Sequence, residues 1–323
     1  MKKKILLTGI TGFIGRNVAR VLLNNGHELI CPIRPDTSQH RWQDFQDKIT
    51  TISLDLSDIK QLRDFLSANC FDAIVHIAAL RGGRKYSRDQ YFQVNVNSTE
   101  QLIINAMANQ SQFLFCSSVG VFGAIPSTLP ANNRTPKIAD NYYHFTKIRA
   151  EQLIQNYVLK GLKAVIIRPS ITYGAHDFGF PFTLTKLIEK KLLFLPNTPV
   201  KIHLTNIDLL EQAFEKALDI PLESGSEFIV ADAKPVDIHD LANYISSQIH
   251  GKPYSRNRVL SPVYFRMGEK LADALHSDLW KARFELISRS WFYDVSESMN
   301  ILNLKKIDTI PAFKTVTDWY KKL

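Results

Sequence analysis

The chain has 323 residues, of which 45% are apolar and 22% charged, and a net charge of +9. This composition is typical of a globular protein and excludes disordered, collagen-like and disulfide-stapled chains. No apolar run approaches the ~20 residues that cross a bilayer. The basic residues are scattered and accompany no nucleic-acid motif. We therefore expect a cytoplasmic protein of about two domains with neither a membrane segment nor a nucleic-acid partner.

Short apolar strands alternate with amphipathic helices in the first half of the chain, which predicts a doubly wound parallel α/β sheet of the Rossmann type. The predicted strands are 5–7, 28–33, 51–54, 73–76, 113–116 and 164–167. After residue 169 the pattern breaks into separate helices, predicted at 182–193, 238–249 and 264–287. We predict a nucleotide-binding domain over residues 1–175 and a smaller α/β substrate-binding domain over 176–323. Segments between about 200 and 240 are expected to pack back onto the first domain.

A glycine-rich turn lies directly between the first predicted strand and the first predicted helix. Gly9, Gly12 and Gly15 allow a tight turn, a close approach of the backbone to a pyrophosphate, and close helix–strand packing, respectively. Three glycines alone are weak evidence, because glycine also ends strands for structural reasons. Their place in a strand–turn–helix unit predicts a dinucleotide site, with the pyrophosphate at the helix N-terminus. Thr11, Phe13 and Ile14 belong to the same cofactor-binding turn.

The end of the second strand decides between NAD and NADP. An acidic residue there would bind the ribose hydroxyls of NAD, whereas an arginine would accept the 2′-phosphate of NADP. This chain has Ile33 at the acidic position and Arg34 after it, which modestly favours NADP. A solvated loop arginine is the alternative, and Asp36 is still near enough in sequence to reach a ribose.

Candidate catalytic residues follow the fifth strand and open a long helix. Ser118 lies where the fifth strand ends, at the sheet edge where such folds bind ligands. Tyr143 and Lys147 are four residues apart, so they share one helix face. A free tyrosine has a pKa of ~10 and is a poor base. An ammonium ~6 Å away supplies about 2.8 kcal/mol at an effective dielectric of ~20, or about two pKa units, and an oxidised nicotinamide would supply the rest.

Three segments, CSSVGVFG at 116–123, YHFTK at 143–147 and RPSITYG at 168–174, follow the glycine turn in order. Together they resemble the extended short-chain dehydrogenases/reductases of the NAD-dependent epimerase/dehydratase family. The resemblance implies that Tyr143 is the general acid/base, that Ser118 holds the reacting oxygen, and that Lys147 also binds the nicotinamide ribose. It also assigns further cofactor contacts to Asp55, Leu56, Ile77, Ala78, Ala79, Asn95, Ser117, Pro169, Ser170 and Ile171.

The family resemblance implies a nucleotide-diphosphate sugar as substrate and hydride transfer at a ring carbon. Candidate substrate residues are Arg81, Arg84, Ser118, Phe178 and Lys201. Two positions depart from the family pattern, because Ile171 replaces a diphosphate-binding asparagine and Lys201 stands where an arginine is common. An NADPH-dependent carbonyl reductase of the dihydroflavonol-reductase or hydroxysteroid-dehydrogenase type is therefore an alternative, as is a non-catalytic dinucleotide-binding regulator. No metal motif is present, and a homodimer is an expectation from the resemblance.

Overall fold

The structure is a computed structural model that describes residues 2–81, 86–275 and 277–323. Its strands are β1 (Lys4–Thr8), β2 (Glu28–Ile33), β3 (Thr50–Ser53), β4 (Ala73–His76), β5 (Gln112–Cys116), β6 (Lys163–Pro169), β7 (Ile171–Tyr173), β8 (Leu195–Pro196), β9 (Lys201–Ile202), β10 (Leu204–Asn206), β11 (Ser226–Val230), β12 (Val236–Asp237) and β13 (Val259–Leu260). Seven strands form one parallel sheet in the order β11-β6-β5-β4-β1-β2-β3. The predicted doubly wound sheet is confirmed.

Helices cover both faces of this sheet. They are α1 (Phe13–Asn24), α2 (Ile59–Ser67), α3 (Arg88–Phe92), α4 (Ser98–Asn109), α5 (Tyr142–Val158), α6 (Phe180–Glu189), α7 (Ile207–Asp219), α8 (Ile238–His250), α9 (Pro262–Ala274), α10 (Asp278–Ser288), α11 (Ser296–Ile301), α12 (Thr309–Ala312) and α13 (Lys314–Tyr320). One apolar cluster joins α1 and α7 to one face of the sheet, and a second joins α2, α4 and α5 to the other. Buried strands therefore have helices on both sides, which explains their continuous apolar sequences.

Two elements from the second half of the chain complete this layered core. Strand β11 pairs with β6 along five residues, from Ser226 opposite Val165 to Val230 opposite Pro169. Helix α7 packs its buried leucines and phenylalanine into the cluster that contains α1. A third apolar cluster, around Trp291, joins α6 and α8 to the remaining small strands. The division of the chain at residue 175 stays a prediction.

The single helix predicted over 264–287 is wrong, because two antiparallel helices stand there instead. The N–H of Ser277 donates to the carbonyl of Ala272 at 2.9 Å, which ends α9 in a tight turn. Gly268 then lets α10 approach, since a Cβ at this glycine would lie 2.8 Å from the Phe284 ring. Among the residues that the structure describes, none of the helices has the length and apolar content needed to cross a bilayer.

Candidate active site

The glycine turn between β1 and α1 is built around two close backbone approaches. Gly9 has a φ of +87°, and a Cβ there would lie 2.7 Å from the backbone nitrogen of Ala78. A Cβ on Gly15 would lie only 2.0 Å from the carbonyl oxygen of Gly9. Gly12 caps α1 without a side chain, so the first N–H groups of that helix, at Phe13 and Ile14, open towards the turn. These features fit the pyrophosphate of a dinucleotide.

A buried hydrogen-bond chain ties β1 to β4 behind this turn. The Thr8 hydroxyl accepts from the backbone N–H groups of residues 77 and 78, each at 3.2 Å. Its oxygen also lies 2.7 Å from Nδ1 of His76, whose Nε2 lies 2.9 Å from the Thr99 hydroxyl. Burial, assisted by the positive charge of Lys147, lowers the pKa of His76 to about 3. His76 is therefore a neutral positioning residue for the backbone at 77 and 78.

Asn95 holds the segment after β4 against the start of α5. Its Oδ1 accepts from the Leu80 N–H at 2.8 Å, and its Nδ2 donates to the Leu80 carbonyl at 3.0 Å and to the Thr146 hydroxyl at 2.9 Å. It lies in a short π-helix over residues 93–97, a deviation often found at functional sites. Three hydrogen bonds thus occupy the side chain that the sequence assigned to direct cofactor contact.

Lys147 is buried and reaches the carboxyl end of β5. Its Nζ donates to the carbonyl of Cys116 at 2.7 Å and lies 4.5 Å from the centroid of the Phe115 ring. Burial lowers the pKa of Lys147 to about 8, although nearby Cys116 and Glu151 oppose this shift. Asn141 starts the helix by accepting from the His144 N–H at 2.9 Å, and this cap sets the helix register that places Lys147 under the sheet edge.

Tyr143 lies one turn before Lys147, on the same face of α5. Burial raises the pKa of its phenol above the ordinary value, with a further rise from Cys116, while Arg81 and a hydrogen bond with Ser118 lower it. Ser118 also accepts from the Gly120 N–H at 3.0 Å. The structure therefore brings Ser118, Tyr143 and Lys147 together at one edge.

A buried charge network that was not predicted lies directly behind these residues. The Glu151 carboxylate accepts from Ser117 Oγ at 2.6 Å, from Arg168 Nε and Nη2 at 2.8 Å each, and from Lys137 Nζ at 2.8 Å. Arg168 also pairs with Glu227 at 2.7 Å. Glu151 follows Lys147 by four residues, so the helix spacing was available as a signal. The hydroxyl of Ser117, expected at the cofactor, is engaged by this network.

Asp177 is a second residue that sequence analysis did not identify. Its carboxyl is buried in the loop after β7 and accepts from the Gly179 N–H at 3.0 Å. Burial raises its pKa to about 6, while the Gly179 N–H, the positive charge of Arg81 and the Thr172 hydroxyl oppose the rise. Arg81 acts electrostatically on both Asp177 and Tyr143. Arg81 therefore lies near both side chains.

Trp319 of α13 holds this loop in place. The ring centroids of His176 and Phe178 lie 5.3 Å and 5.2 Å from that of Trp319. His176 adopts a left-handed φ of +71°, which a non-glycine residue rarely does without support. The two flanking rings pack on one tryptophan, and Asp177 between them turns inward. Trp319 lies more than 130 residues after this loop in the sequence, so residue spacing gave no indication of the contact.

The other predicted residues have diverse positions. Asp55 Oδ1 accepts from both the N–H and the hydroxyl of Ser57 at 2.8 Å, while Leu56 is buried in the core. The Ser170 hydroxyl donates to the His203 carbonyl. Pro169 ends β6, Ile171 lies in β7, and Ala79 lies in the segment after β4.

Two arginines lie near the glycine turn and the end of β2. The Thr11 carbonyl accepts a hydrogen bond from Arg41 at 2.9 Å, and Arg34 is exposed after β2. Lys201 lies 6.0 Å from the Phe292 ring centroid, and Arg84 lies outside the described residues.

Comparison with known proteins identifies the family. The model of the "NAD dependent epimerase/dehydratase family" matches residues 5–195, more than half of the chain. The chain belongs to the NAD-dependent epimerase/dehydratase family. The predictions that it resembles this family and is an enzyme of this type are confirmed, and NAD is the family's cofactor.

Relatives and solved structures span several roles within this family. The chain is 25% identical over 313 residues to the chloroplast stem-loop binding protein of 41 kDa b from Arabidopsis thaliana, covering 88% of this chain and 77% of that protein. It is 28% identical over 186 residues to UDP-glucose 4-epimerase from Erwinia amylovora, covering 54% of this chain and about half, 55%, of that enzyme. The crystal structure of Bordetella bronchiseptica WbmH in complex with NAD⁺ superposes with a TM-score of 0.79 at 16% identity, covering 100% and 99% of the two chains. This last likeness is one of fold.

Proposed function

We propose that this family member transfers a hydride between NAD(P) and a ring carbon of a nucleotide-diphosphate sugar, with Tyr143 as acid/base. The observation that carries the proposal is the shared edge of Ser118, Tyr143 and Lys147 beside the glycine turn. The bound nicotinamide would accept and return the hydride. Gly9, Gly12 and Gly15 would hold the pyrophosphate, and Lys147 would hold the nicotinamide ribose.

The protonation states of the site suit this chemistry. Because burial raises the Tyr143 pKa, the phenol carries its proton at neutral pH. It can therefore donate that proton to a substrate carbonyl oxygen, while Ser118 holds the same oxygen by a hydrogen bond. In the reverse direction Tyr143 must lose its proton, and the positive charge of oxidised nicotinamide would favour that loss.

Substitution of Tyr143 by phenylalanine tests the acid/base assignment. Tyr143→Phe should lower turnover by roughly 10²–10⁴-fold on a panel of UDP-sugars, with an unchanged dissociation constant for the cofactor. Tyr142→Phe is the matched control, because Tyr142 packs against Tyr91 at 6.0 Å in an aromatic cluster. Full turnover by Tyr143→Phe would exclude Tyr143 as the acid/base.

We propose that Arg81 binds the anionic diphosphate and that Phe178 contacts the nucleobase. Arg81 already acts electrostatically on Tyr143 and Asp177, so its charge lies near the candidate acid/base. Phe178 follows Asp177 in the chain, is 66% exposed and offers an open ring. Lys201 and Arg84 stay predictions for the same substrate. Arg81→Gln should raise KM for a nucleotide sugar far more than it changes cofactor affinity. An unchanged KM would refute the assignment.

We propose a preference for NADP over NAD, supported by Arg34 at the end of β2 and by the apolar Ile33 before it. Arg34→Ala should then weaken NADP binding and leave NAD binding unchanged. Arg41→Ala is the control, because Arg41 donates to the Thr11 carbonyl and supports the turn that both cofactors share. An equal ratio of NADP to NAD dissociation constants in wild type and Arg34→Ala would refute the proposal.

An NADPH-dependent carbonyl reductase is the second catalytic candidate, favoured by Ile171 in place of a diphosphate-binding asparagine. An epimerase keeps its nicotinamide through both half-reactions, whereas a reductase exchanges it. Nicotinamide absorbance that survives desalting would therefore support the epimerase or dehydratase reaction. A protein that arrives without cofactor and consumes added NADPH with a ketone would support the reductase.

A nucleic-acid-binding regulator is a non-catalytic candidate, favoured by the long alignment with a stem-loop binding protein. The sequence prediction is the opposite, and the presence of both Tyr143 and Lys147 supports the enzyme. Titration of a labelled RNA hairpin at two salt concentrations tests it. Tight, strongly salt-dependent binding together with inactivity on every sugar and ketone would support the regulator.

We also propose a homodimer and a reducing, cytoplasmic location. Ile104 of α4 is 45% exposed and Phe145 of α5 is 36% exposed, so both helices offer apolar surface to a second copy. Cys31, Cys70 and Cys116 are all free thiols, which suits a reducing compartment. Sedimentation of wild type and Ile104→Glu would test the dimer, and a monomeric wild type would refute it.

A further inference from the structure

Helix α9 exposes an unusual number of large apolar side chains. Each of five is between 52% and 70% exposed, and they are Val263, Tyr264, Met267, Leu271 and Leu275. Trp280 of α10 is a sixth, at 54%. A soluble surface normally carries such side chains singly. We call this set the α9 stripe.

The α9 stripe is continuous along the helix. At 100° per residue, Val263, Tyr264, Met267 and Leu271 fall within an arc of about 100°, and Leu275, the residue that follows the helix, extends the arc to about 120°. The buried residues of α9, Phe265, Glu269 and Ala272, lie on the opposite face of the helix. The fold therefore uses one face of α9 for packing and leaves a second apolar face that packing does not require.

Unpaired positive charge borders the α9 stripe. Arg266 and Lys270 lie on one flank of the arc, and within the described ranges neither forms an ion pair. The acidic neighbours on α9 are already engaged, since Glu269 pairs with Arg289 and Asp273 pairs with Lys281 at 2.7 Å. On α10 the Arg283 guanidinium lies 4.9 Å from the Trp280 ring centroid. An apolar surface bordered by cations complements a partner that has an anionic surface layer and an apolar interior beneath it.

We propose that the α9 stripe docks this protein on an anionic lipid bilayer. An interfacial helix combines an apolar face with flanking lysine and arginine, and tyrosine and tryptophan prefer the headgroup level. A second copy fits less well, because an antiparallel two-fold contact would set the Arg266 and Lys270 flank of one copy beside the same flank of the other. This inference departs from the expected absence of a membrane partner and is independent of the proposed catalytic function.

Vesicle flotation of the full chain tests the proposal. Wild type should bind vesicles that contain phosphatidylglycerol at least about tenfold more tightly than pure phosphatidylcholine vesicles, and salt should weaken this binding. Met267→Glu and Leu271→Glu together should abolish flotation. Arg266→Glu with Lys270→Glu should remove the preference for phosphatidylglycerol. Leu159→Glu is the matched control, because Leu159 is an 88%-exposed leucine at the end of α5.

Three outcomes would overturn the proposal. The first is a wild-type protein that floats with neither type of vesicle. Another is flotation that survives Met267→Glu with Leu271→Glu. The third is a dimer that Leu271→Glu dissociates in analytical ultracentrifugation, which would assign the stripe to a second copy. All substituted side chains are exposed, and an unchanged dissociation constant for NAD would show that each variant is folded.

Discussion

Glu151 offers the most quantitative test of how the site is supported. Its carboxylate accepts four hydrogen bonds of 2.6–2.8 Å from Ser117, Arg168 and Lys137, and it is fully buried. In Glu151→Gln the amide NH₂ replaces an oxygen that accepts hydrogen bonds, so it faces donors that it cannot accept from. Arg168 also stays buried and charged after losing the negative charge of Glu151. Removing one partner of a buried ion pair costs about 3–5 kcal/mol. At about 2–4 °C per kcal/mol, the melting temperature should fall by roughly 10 °C.

The assay is urea unfolding of wild type and variants, with the free energy of unfolding compared at equal cofactor concentration. Asp44→Asn is the control, because the Asp44–Arg16 pair of 2.6 Å is on the surface and should contribute about 1 kcal/mol or less. Glu151→Leu combined with Arg168→Met removes both charges and should recover much of the loss. A Glu151→Gln loss no larger than that of Asp44→Asn would refute the reasoning.

The same residue gives a pH dependence with a defined sign. Burial raises the pKa of Glu151, but hydrogen bonds and charges from Arg168 and Lys137 outweigh it and lower the pKa below its ordinary value. A lowered folded pKa stabilises the protein above the unfolded pKa of ~4.3, and this stabilisation is lost as the pH falls through the folded value. The gap between wild type and Glu151→Gln should therefore close in acid. A constant gap down to strong acid would contradict this.

Three further predictions concern the glycine turn, Asp177 and the segment after β4. Gly15→Ala should abolish cofactor binding, because its Cβ would lie 2.0 Å from the Gly9 carbonyl oxygen; calorimetric titration with NAD measures this. Asp177 has a folded pKa raised to about 6, so wild type should lose roughly 1–3 kcal/mol of stability as the pH rises from 4 to 7, and Asp177→Asn should not; equal pH profiles in urea unfolding would refute it. Asn95→Ala breaks three hydrogen bonds and should raise the cofactor dissociation constant about tenfold or more, as a fluorescence titration would show.

Local features of the chain were enough to predict the parallel sheet and its glycine turn. Continuous apolar strands, the Gly9–Gly12–Gly15 spacing and the four-residue interval between Tyr143 and Lys147 each depend on neighbours in sequence. The structure has the sheet, the turn and the shared helix face that they predicted. The prediction of one helix over 264–287 failed because it used only the local amphipathic period. The chain turns back after α9, where the Ser277 N–H donates to the Ala272 carbonyl.

Features that rest on contacts between distant segments were not predictable in this way. Asp177 is buried because its neighbours pack on Trp319, and the Ser117 hydroxyl donates a hydrogen bond to the distant Glu151. The Asn95 side chain hydrogen-bonds the Leu80 backbone, and its predicted cofactor contact stays a prediction. A motif gives a residue's location, whereas the identity of its partners depends on tertiary packing.

The electrostatics of Tyr143 show why a pairwise charge estimate from the sequence is incomplete. That estimate gave Lys147 about two units of pKa lowering at Tyr143, yet burial raises the Tyr143 pKa, and Lys147 instead directs its ammonium to the Cys116 carbonyl. The pKa of Lys147 itself falls to about 8, so its charge is partly titrated near neutral pH. Protein groups alone therefore favour a neutral phenol that donates a proton. The base role depends on positive charge at the nicotinamide, and we expect bound NAD⁺ to lower the Tyr143 pKa while NADH leaves it high. Ultraviolet difference titration of the tyrosinate band in the two complexes, with Tyr143→Phe as the blank, measures this difference, and identical titrations would refute it.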